Sequence, residues 1–316
     1  MRRGSVAALF FLAALFPACS GTAETNGGAK RFDGKRAFAY LEQLTRFGPR
    51  APGTATAAEA RAYLVKELEK RAAEVKELPF VGRNPKTGES LDLVNVFARL
   101  HPQASPRVLL VAHWDTRPWA ERDPDPARRD QPMPGVNDGG SGVAVLLELA
   151  RLFAEHPPAV GVDILLTDGE DLGKPGTHQG YWQGSIHFAR KGGPFAAYRP
   201  RWAVVVDMVG DKDLGIEREA FSLAYAPDLM NRIWTLAEQM GYGEHFMKTE
   251  GRRIKDDQVP LHEGLGIPAV VLIDFHYGPE HAFEDTHQDT LDKCSPRSLE
   301  AVGRVVARLV YEEKGA

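Results

Sequence analysis

Apolar residues recur at helical spacing in the first part of the chain. Over residues 34–47 and 56–75 the positions of Ala, Leu and Tyr predict two amphipathic helices. The segment between them reads GPRAPGT, and its Pro and Gly residues predict a turn. Two helices are therefore expected before the first strand of any sheet.

Five short runs rich in apolar and β-branched residues follow, and they predict strands. The runs are LDLVNVFARL, RVLLVAHWD, VDILLTDGE, WAVVVDMVG and AVVLIDF. The most apolar of them are typical of strands that are buried on both faces of a sheet. Helical spacing returns at residues 141–153, 227–240 and 296–311. This alternation predicts an α/β fold with a mixed, mostly parallel central sheet that is covered by helices.

Length, charge and cysteine content narrow the class of protein. The chain has 316 residues and a formal net charge of -4. No repeat or internal boundary is evident, so we expect a single domain over residues 31–316. Acidic and basic residues are well mixed without a basic stripe, which predicts a small or peptidic partner and no nucleic acid. The two cysteines, Cys19 and Cys294, predict no structural disulfide.

The first 30 residues predict export from the cytoplasm. Residues 1–18 carry two arginines before an apolar run that is too short to span a bilayer, which is typical of a signal peptide. Cys19 follows Phe-Pro-Ala, where a lipoprotein signal peptidase would leave it as the acylated first residue, although Phe16 stands where Leu is usual. The alternative is ordinary cleavage near Ala18. With residues 19–30 as a flexible tether, we expect either a periplasmic protein or a membrane-anchored lipoprotein of a bacterial cell envelope. Membrane contact is expected only in the second case, through a lipid on Cys19.

Polar side chains gather where the predicted strands end. VAHWD places His113 and Asp115 two residues apart, so in an extended segment the carboxylate can orient the imidazole or ligate beside it. GVNDGGSG sets Asp138 among glycines at the start of a helix, where it can bind a ligand or cap the helix. The polar segments 117–134 and 172–184 also follow strand ends and are candidate active-site loops.

Further carboxylates follow later strands. LLTDGED places Glu170 beside Asp171, and the two repel each other unless they are exposed or share a cation or a proton. Asp207 ends a strand that should be buried on both faces, so its charge needs a partner. KDDQVP adds Asp256 and Asp257 in a turn. Acids and histidine at successive strand ends form the donor set expected of zinc, with carboxylates left for acid/base chemistry.

These motifs resemble the zinc aminopeptidase and glutaminyl cyclase superfamily, peptidase family M28. The resemblance runs from about Phe47 to the C-terminus through FGPRAPGT, VAHWDT, GVNDGGSGVAVLLELAR, LLTDGED, VVVDMVGD, DDQVPLHEGLGIPAVVLID and DTLDKCSPRSLEAVG. It implies a zinc exopeptidase-like three-layer α/β/α sandwich with the metal site above the sheet. The resemblance implies that His113 and Asp207 are the second-zinc ligands and that Asp138 is the bridging aspartate. It also implies that Glu170 is the general base and that Asp171 is the acidic zinc ligand beside it.

The sequence departs from the family pattern in two places. The acidic pair is usually Glu-Glu in the aminopeptidases, whereas the ligand position here holds the shorter Asp171. The family usually has Trp-His-Thr or Tyr-His-Thr, with the ligand histidine four residues before the Asp of Asp-Thr. That register places Glu284 and Asp285 at the aromatic residue and the histidine, while His287 lies two residues before Asp289. Either His287 ligates the metal, which we favour, or Asp285 replaces the imidazole, or the metal site is weak.

The resemblance implies two enzymatic functions. A glutaminyl-peptide cyclotransferase would use one zinc ion and convert the N-terminal Gln of a peptide or protein to pyroglutamate with release of ammonia. Glu170 would then shuttle the proton, and Asp207 and Asp256 would stabilise that relay. A dizinc M28 aminopeptidase would instead bind its second zinc through His113 and Asp207. The DDQ at residues 256–258 favours the cyclase, because cyclases commonly read Asp-Asp-His there and aminopeptidases Ser-Asp-His.

A third alternative is a catalytically inactive binding lipoprotein that has lost the metal, and the altered FEDTH segment motivates it. Against it stands the acidic cluster, whose charge would then be uncompensated. The loop GKPGTHQGYWQGSIHFAR resembles the cyclase segment after the acidic pair, where Tyr181 or Trp182 can line the substrate pocket or pack the loop. We therefore predict a cyclase, with the aminopeptidase and the inactive lipoprotein as alternatives.

Overall fold

The computed structural model describes Met1, Gly28, Ala29 and residues 31–316. The predicted signal peptide and tether, including Cys19, otherwise lie outside the described residues and stay predictions. In the part of the chain that is described, no helix is both long enough and apolar enough to cross a membrane. Cys294 is buried and is a free thiol.

Within residues 31–316, two helices precede the sheet, as predicted. Helix α1 (Gly34–Thr45) begins after Asp33, and helix α2 (Ala55–Glu69) begins after Thr54; both capping side chains accept hydrogen bonds from backbone N–H groups of the first turn. Helix α2 ends before the predicted end at residue 75, because the chain there enters strand β1 (Glu74–Arg83). The sequence did not predict β1 as a strand.

A mixed sheet forms the centre of the fold. The strands that join β1 in this sheet are β2 (Ser90–Leu100), β3 (Arg107–His113), β4 (Gly161–Thr167), β5 (Ala203–Asp207) and β8 (Ala269–Ile273). Their order is β1-β2-β4-β3-β5-β8. β1 and β2 pair antiparallel, β2 and β4 pair antiparallel, and β4, β3, β5 and β8 run parallel. Strands β6 (Ile216–Arg218) and β7 (Phe246–Glu250) form a separate parallel pair.

Helices cover both faces of the sheet, so the predicted three-layer α/β/α fold is confirmed. The remaining helices are α3 (Ser141–Glu155), α4 (Gln183–Arg190), α5 (Ala220–Tyr225), α6 (Pro227–Gln239), α7 (Gln258–Leu265) and α8 (Pro296–Tyr311). Short 3-10 helices occur at Pro126–Arg128, Pro279–His281 and Leu291–Lys293. Alternate residues of β3 point to opposite sides: Val108 and Leu110 join the core beneath α1, α3, α6 and α8. Leu109 and Val111 join a second core with residues of α4 and α7.

The carboxyl ends of the parallel strands meet at one edge of the sheet. His113, the last residue of β3, lies opposite Thr167, the last residue of β4. Asp207, the last residue of β5, lies opposite Ile273, which ends β8. Side chains at and just beyond these strand ends are therefore brought together, where ligands bind in open α/β sheets.

Candidate metal centre and active site

His113 lies among carboxylates at this edge of the sheet. Its Nε2 atom is 3.0 Å from Asp138 Oδ1 and 3.1 Å from Asp207 Oδ1. All three side chains are buried, and one ligand atom from each lies within 4.8 Å of the others. Burial alone would lower the pKa of His113, but the carboxylates of Asp207, Asp115 and Asp138 raise it well above its usual value. One nitrogen and two carboxylate oxygens at this spacing fit a divalent cation.

A second group of candidate ligands shares Asp138. One carboxylate oxygen from each of Asp138, Asp171 and Asp285 lies within 4.8 Å of the others. Asp171 Oδ2 is buried and has no hydrogen-bond partner among the described residues, which leaves it able to bind a cation. Because Asp138 belongs to both groups, its carboxylate can bridge two cations.

Arg117 offsets part of the negative charge of the second group. Its guanidinium lies 2.9 Å from Asp171 Oδ1 and 3.3 Å from Asp285 Oδ1, and it also pairs with Glu121. Burial alone would lower the pKa of Arg117, but the acids around it raise the pKa, so it remains a cation. A third carboxylate brings one more negative charge than a neutral imidazole would, and the guanidinium compensates for that charge.

The structure separates Asp285 from His287. Asp285 has a positive φ of 54° and contributes an oxygen to the second group of candidate ligands. His287 belongs to neither group; its Nδ1 is 2.8 Å from Asp123 Oδ2, which also accepts its backbone N–H at 2.9 Å. The favoured expectation that His287 is a metal ligand therefore disagrees with this geometry, because neither ring nitrogen lies close enough to the other candidate ligands to join a group.

Glu170 and Asp256 are buried acids that belong to neither ligand group. Glu170 Oε2 is 4.0 Å from His113 Nδ1. Burial raises the pKa of Glu170 well above its usual value, with further increases from the carboxylates of Asp256 and Asp171 and an opposing effect from His113. Burial and the carboxylate of Asp207 likewise raise the pKa of Asp256, whose Oδ2 has no hydrogen-bond partner among the described residues. Acids this close together need a cation or shared protons.

Asp115 positions the loop after β4. Its carboxylate accepts hydrogen bonds from the backbone N–H groups of Glu170 and Asp171, each at 3.2 Å. Asp115 Oδ1 is also 3.5 Å from His113 Nδ1. The carboxylate thus faces the imidazole as the spacing suggested, and it is also hydrogen-bonded to the segment that carries the acidic pair.

Asp289, which in the sequence only sets the register of the Asp-Thr motif, positions the loop before α3 in the same way. It is fully buried, and it accepts hydrogen bonds from the backbone N–H groups of Asn137 at 2.7 Å and Asp138 at 3.2 Å. The hydroxyl of Tyr277 donates a third hydrogen bond at 2.7 Å. Burial raises the pKa of Asp289 to about 7, opposed by the hydrogen bond from Asn137. The sequence carries no signal for which amides a buried loop acid will accept.

Four of the candidate ligands, Asp138, Asp171, Asp207 and Asp285, line a cavity of about 300 Å³, which is at the small end for ligand sites. The rings of Tyr181 and Trp182 lie 5.4 Å apart and line one wall. Tyr181 accepts a hydrogen bond from Arg117 at 3.0 Å. A basic segment, residues 252–255, lines another part of the cavity. Both predicted active-site loops contribute, one through Arg117 and the other through the aromatic wall.

The fold and the site together define an α/β/α protein with a buried cluster of cation ligands above its parallel strands. The family model of peptidase family M28 matches residues 95–310. The chain belongs to this family, which confirms the resemblance stated from the motifs.

Relatives of both expected activities are similar to this chain. Aminopeptidase YwaD of Bacillus subtilis is 28% identical over 213 residues, 65% of this chain and 40% of the relative. The chain spans less than half the length of the curated relatives it matches. A Zn-dependent exopeptidase from Parabacteroides distasonis has a TM-score of 0.86 and 32% identity, over 89% of this chain and 99% of that one. A glutaminyl cyclase from Porphyromonas gingivalis has a TM-score of 0.85 and 35% identity, over 89% and 98%.

Proposed function

We propose that the protein is a zinc-dependent glutaminyl-peptide cyclotransferase that converts an N-terminal Gln to pyroglutamate and releases ammonia. The observation that carries the proposal is Asp256, which lines the cavity together with Glu170 and Asp207 and has a buried, unpartnered carboxylate oxygen. In the resemblance to the family, an aspartate at this position is common in the cyclases and a serine in the aminopeptidases. The similarity to solved glutaminyl cyclases supports the same activity.

We assign the catalytic zinc to Asp138, Asp171 and Asp285, the second ligand group. Zinc bound there supplies Lewis acidity that polarises a substrate carbonyl. Asp285 takes the position of the histidine that the family pattern usually has, and the ion pair with Arg117 supports this exchange because it restores the charge balance. His287 in this proposal is not a ligand.

Glu170 is the residue that moves the proton in this reaction. The α-amino nitrogen of the substrate forms a bond to the side-chain amide carbon, and the bond from that carbon to the amide nitrogen breaks. Glu170 accepts a proton from the α-amine and delivers it to the departing nitrogen, so that ammonia leaves and the carboxylate is regenerated. Asp207 and Asp256 line the same cavity and stabilise the positive charge that develops on the attacking amine.

A dizinc aminopeptidase is the second candidate function, and the first ligand group favours it. His113, Asp138 and Asp207 offer a second cation position that shares Asp138 with the first. Glu170 would then take a proton from a water molecule that attacks the carbonyl carbon of the first peptide bond. The similarity to the Zn-dependent exopeptidase and to YwaD supports this alternative.

The preserved ligand groups argue against the inactive binding lipoprotein. Five of the six acids expected to surround the metal are buried, and the sixth, Asp285, is half-buried. Keeping that many carboxylates together without a cation would destabilise the fold by several kcal/mol, on the order of the cost of an unpaired buried charge. With export through residues 1–18, the substrates in this proposal are peptides or protein N-termini outside the cytoplasm.

Product analysis tests the proposal. Zinc-loaded protein is incubated with a peptide that begins with Gln and a matched peptide that begins with Leu, and both are followed by mass spectrometry. We expect the Gln peptide to lose the mass of one ammonia and the Leu peptide to remain intact. Free Leu with no pyroglutamate would favour the aminopeptidase, and no product from either peptide would favour the inactive lipoprotein.

A further inference from the structure

Three basic residues line the same cavity as the buried acids. Arg252, Arg253 and Lys255 line the cavity, and all three are exposed. In the part of the chain that the structure describes, none of them forms an ion pair with a carboxylate. Three exposed cations without a carboxylate partner give this part of the cavity lining a positive charge that suits an anion.

Their contacts show which of the three are available to a ligand. Arg252 is held in place, because its Nη2 lies 2.8 Å from His281 Nε2. The guanidinium of Arg253 lies 5.6 Å from the ring of Phe221, a contact that leaves its N–H donors unsatisfied by any acceptor. Lys255 precedes Asp256 directly and has no described hydrogen-bond partner. Arg253 and Lys255 therefore keep their full capacity to bind an anion.

The charged residues that line the cavity differ in exposure. Its aspartates and glutamates are mostly buried, whereas Arg252, Arg253 and Lys255 are exposed. Tyr181 and Trp182 line the cavity as well. A ligand that matches this arrangement carries a positive group at its inner end and a negative group further out. A peptide has its α-amine at the inner end, so the complementary anion is a carboxylate a short distance along the same chain.

We propose that Arg253 and Lys255, with Arg252 beside them, form a carboxylate subsite that selects peptides with a carboxylate close to the N-terminal residue. The carboxylate comes either from an acidic side chain at the second or third residue or from the free C-terminus of a dipeptide or tripeptide. The proposal rests on the proposed function in so far as it places the substrate amine among the buried carboxylates.

Matched peptides test the preference and distinguish its two sources. Gln-Glu-Ala-amide is compared with Gln-Gln-Ala-amide, and the free acid Gln-Ala is compared with Gln-Ala-amide, by kcat/KM of the zinc-loaded enzyme. We expect about a fivefold advantage for each acidic member, mainly through KM, which is the size expected of exposed ion pairs. The advantage should decrease as the salt concentration rises. Equal kcat/KM values for both pairs at low salt would overturn the proposal.

Charge reversal shows whether the basic segment causes the preference. In Lys255→Glu, and in Arg253→Glu, the advantage of the Gln-Glu peptide should disappear and a Gln-Lys peptide should become the better substrate. Lys248→Glu is the matched control, because Lys248 pairs with Glu238 outside the cavity and the net charge changes equally. Circular dichroism verifies that each variant is folded. If Lys255→Glu and Arg253→Glu are both folded and both keep the wild-type preference for the Gln-Glu peptide, the subsite is contradicted.

A binding measurement separates failure of the subsite from failure of the cyclase proposal. Peptides that begin with norvaline and carry a methylene in place of the first carbonyl can be neither cyclised nor hydrolysed. Their second residue is Glu or Gln, and calorimetry with zinc-loaded protein gives both Kd values. About fivefold tighter binding of the Glu peptide, lost in Lys255→Glu, supports the subsite even if the enzyme proves to be an aminopeptidase. Equal Kd values for the two peptides would overturn the subsite, whichever reaction the enzyme catalyses.

Discussion

The substitution Asp289→Asn should weaken metal binding without removing any candidate ligand. In the wild type, Oδ1 accepts from the amide of Asn137 and the hydroxyl of Tyr277, and Oδ2 accepts from the amide of Asp138. An asparagine keeps an oxygen for the first two donors and turns its NH₂ group toward the Asp138 amide. Two donors then face each other in a fully buried place.

The expected losses of folding stability and metal affinity follow from the one hydrogen-bond acceptor that the substitution removes. A buried donor without an acceptor costs about 1–3 kcal/mol of folding stability. Because the donor is the amide of Asp138, which both ligand groups share, the loop shifts and the metal affinity falls. Loss of a hydrogen bond that orients a ligand typically weakens metal binding about 10–100-fold. This factor corresponds to about 1.4–2.8 kcal/mol of binding free energy.

The assay is competition for zinc with a chelator of known affinity, combined with thermal unfolding in the presence and absence of zinc. We would measure at pH 8, above the pKa of about 7 of Asp289, so that the wild-type side chain is ionised. The matched control is Asp274→Asn. Asp274 is also fully buried and accepts two backbone amides, from Gly215 at 3.0 Å and His276 at 2.9 Å, but it belongs to neither ligand group.

We expect both variants to lose folding stability and only Asp289→Asn to lose zinc affinity. Zinc should then raise the unfolding temperature of Asp289→Asn less than that of the wild type or of Asp274→Asn. A folded Asp289→Asn protein with the zinc affinity of the wild type would refute the positioning role. Equal losses of affinity in both variants would show a general effect of stability instead.

Three further predictions concern the ligands, the proton relay and pH. Asp285→Ala should lower the zinc content of the purified protein and His287→Ala should leave it unchanged, as measured by atomic absorption; the reverse result would identify the histidine as the ligand. Asp256→Ser, which introduces the residue common in the aminopeptidases, should lower ammonia release from a Gln peptide at least about 100-fold at unchanged zinc content; full activity would remove Asp256 from the relay. Glu313→Gln should destabilise the fold by about 1–3 kcal/mol at pH 7. The reason is that the buried carboxylate accepts hydrogen bonds from Arg201, Arg232 and Trp202. These hydrogen bonds lower the pKa of Glu313, although burial alone would raise it. A carboxyl group whose pKa is lower in the folded state stabilises the fold at pH values above its unfolded pKa. Urea titrations should therefore show the difference in free energy of unfolding between the wild type and Glu313→Gln shrinking as the pH falls below about 4; a difference that does not change with pH would contradict this.

Much of the fold was predictable from the sequence, because strands that are buried on both faces appear as apolar runs. Strand β3 is apolar along most of its length and β5 is apolar until its last residue, since both are covered on both faces. Strand β1 pairs with a single neighbour, and its exposed face carries Glu77, Pro79 and Arg83, so it lacks a continuous apolar run. The helical spacing over residues 56–75 also covers its start. Helix α7 has eight residues and contains Pro260 and Gly264, which hide its helical character.

The candidate site was predictable to the extent that its residues follow strand ends. His113 and Asp207 end strands, and Glu170 closely follows one, so topology alone brings them together. The choice between Asp285 and His287 was not predictable in this way. It depends on the contacts of Asp285 with Arg117 and of His287 with Asp123, residues that lie more than 160 positions away in the chain and whose places only the folded structure gives.

The central claim is that Glu170 carries a proton to ammonia in a zinc-dependent cyclisation. The most direct test is ammonia release from a Gln-initiated peptide by zinc-loaded wild-type protein and by Glu170→Gln at equal zinc content. We predict steady ammonia release by the wild type, abolished by a chelator, and a rate at least about 100-fold lower in Glu170→Gln. No ammonia from the wild type, or a Glu170→Gln variant as fast as the wild type, would contradict the account.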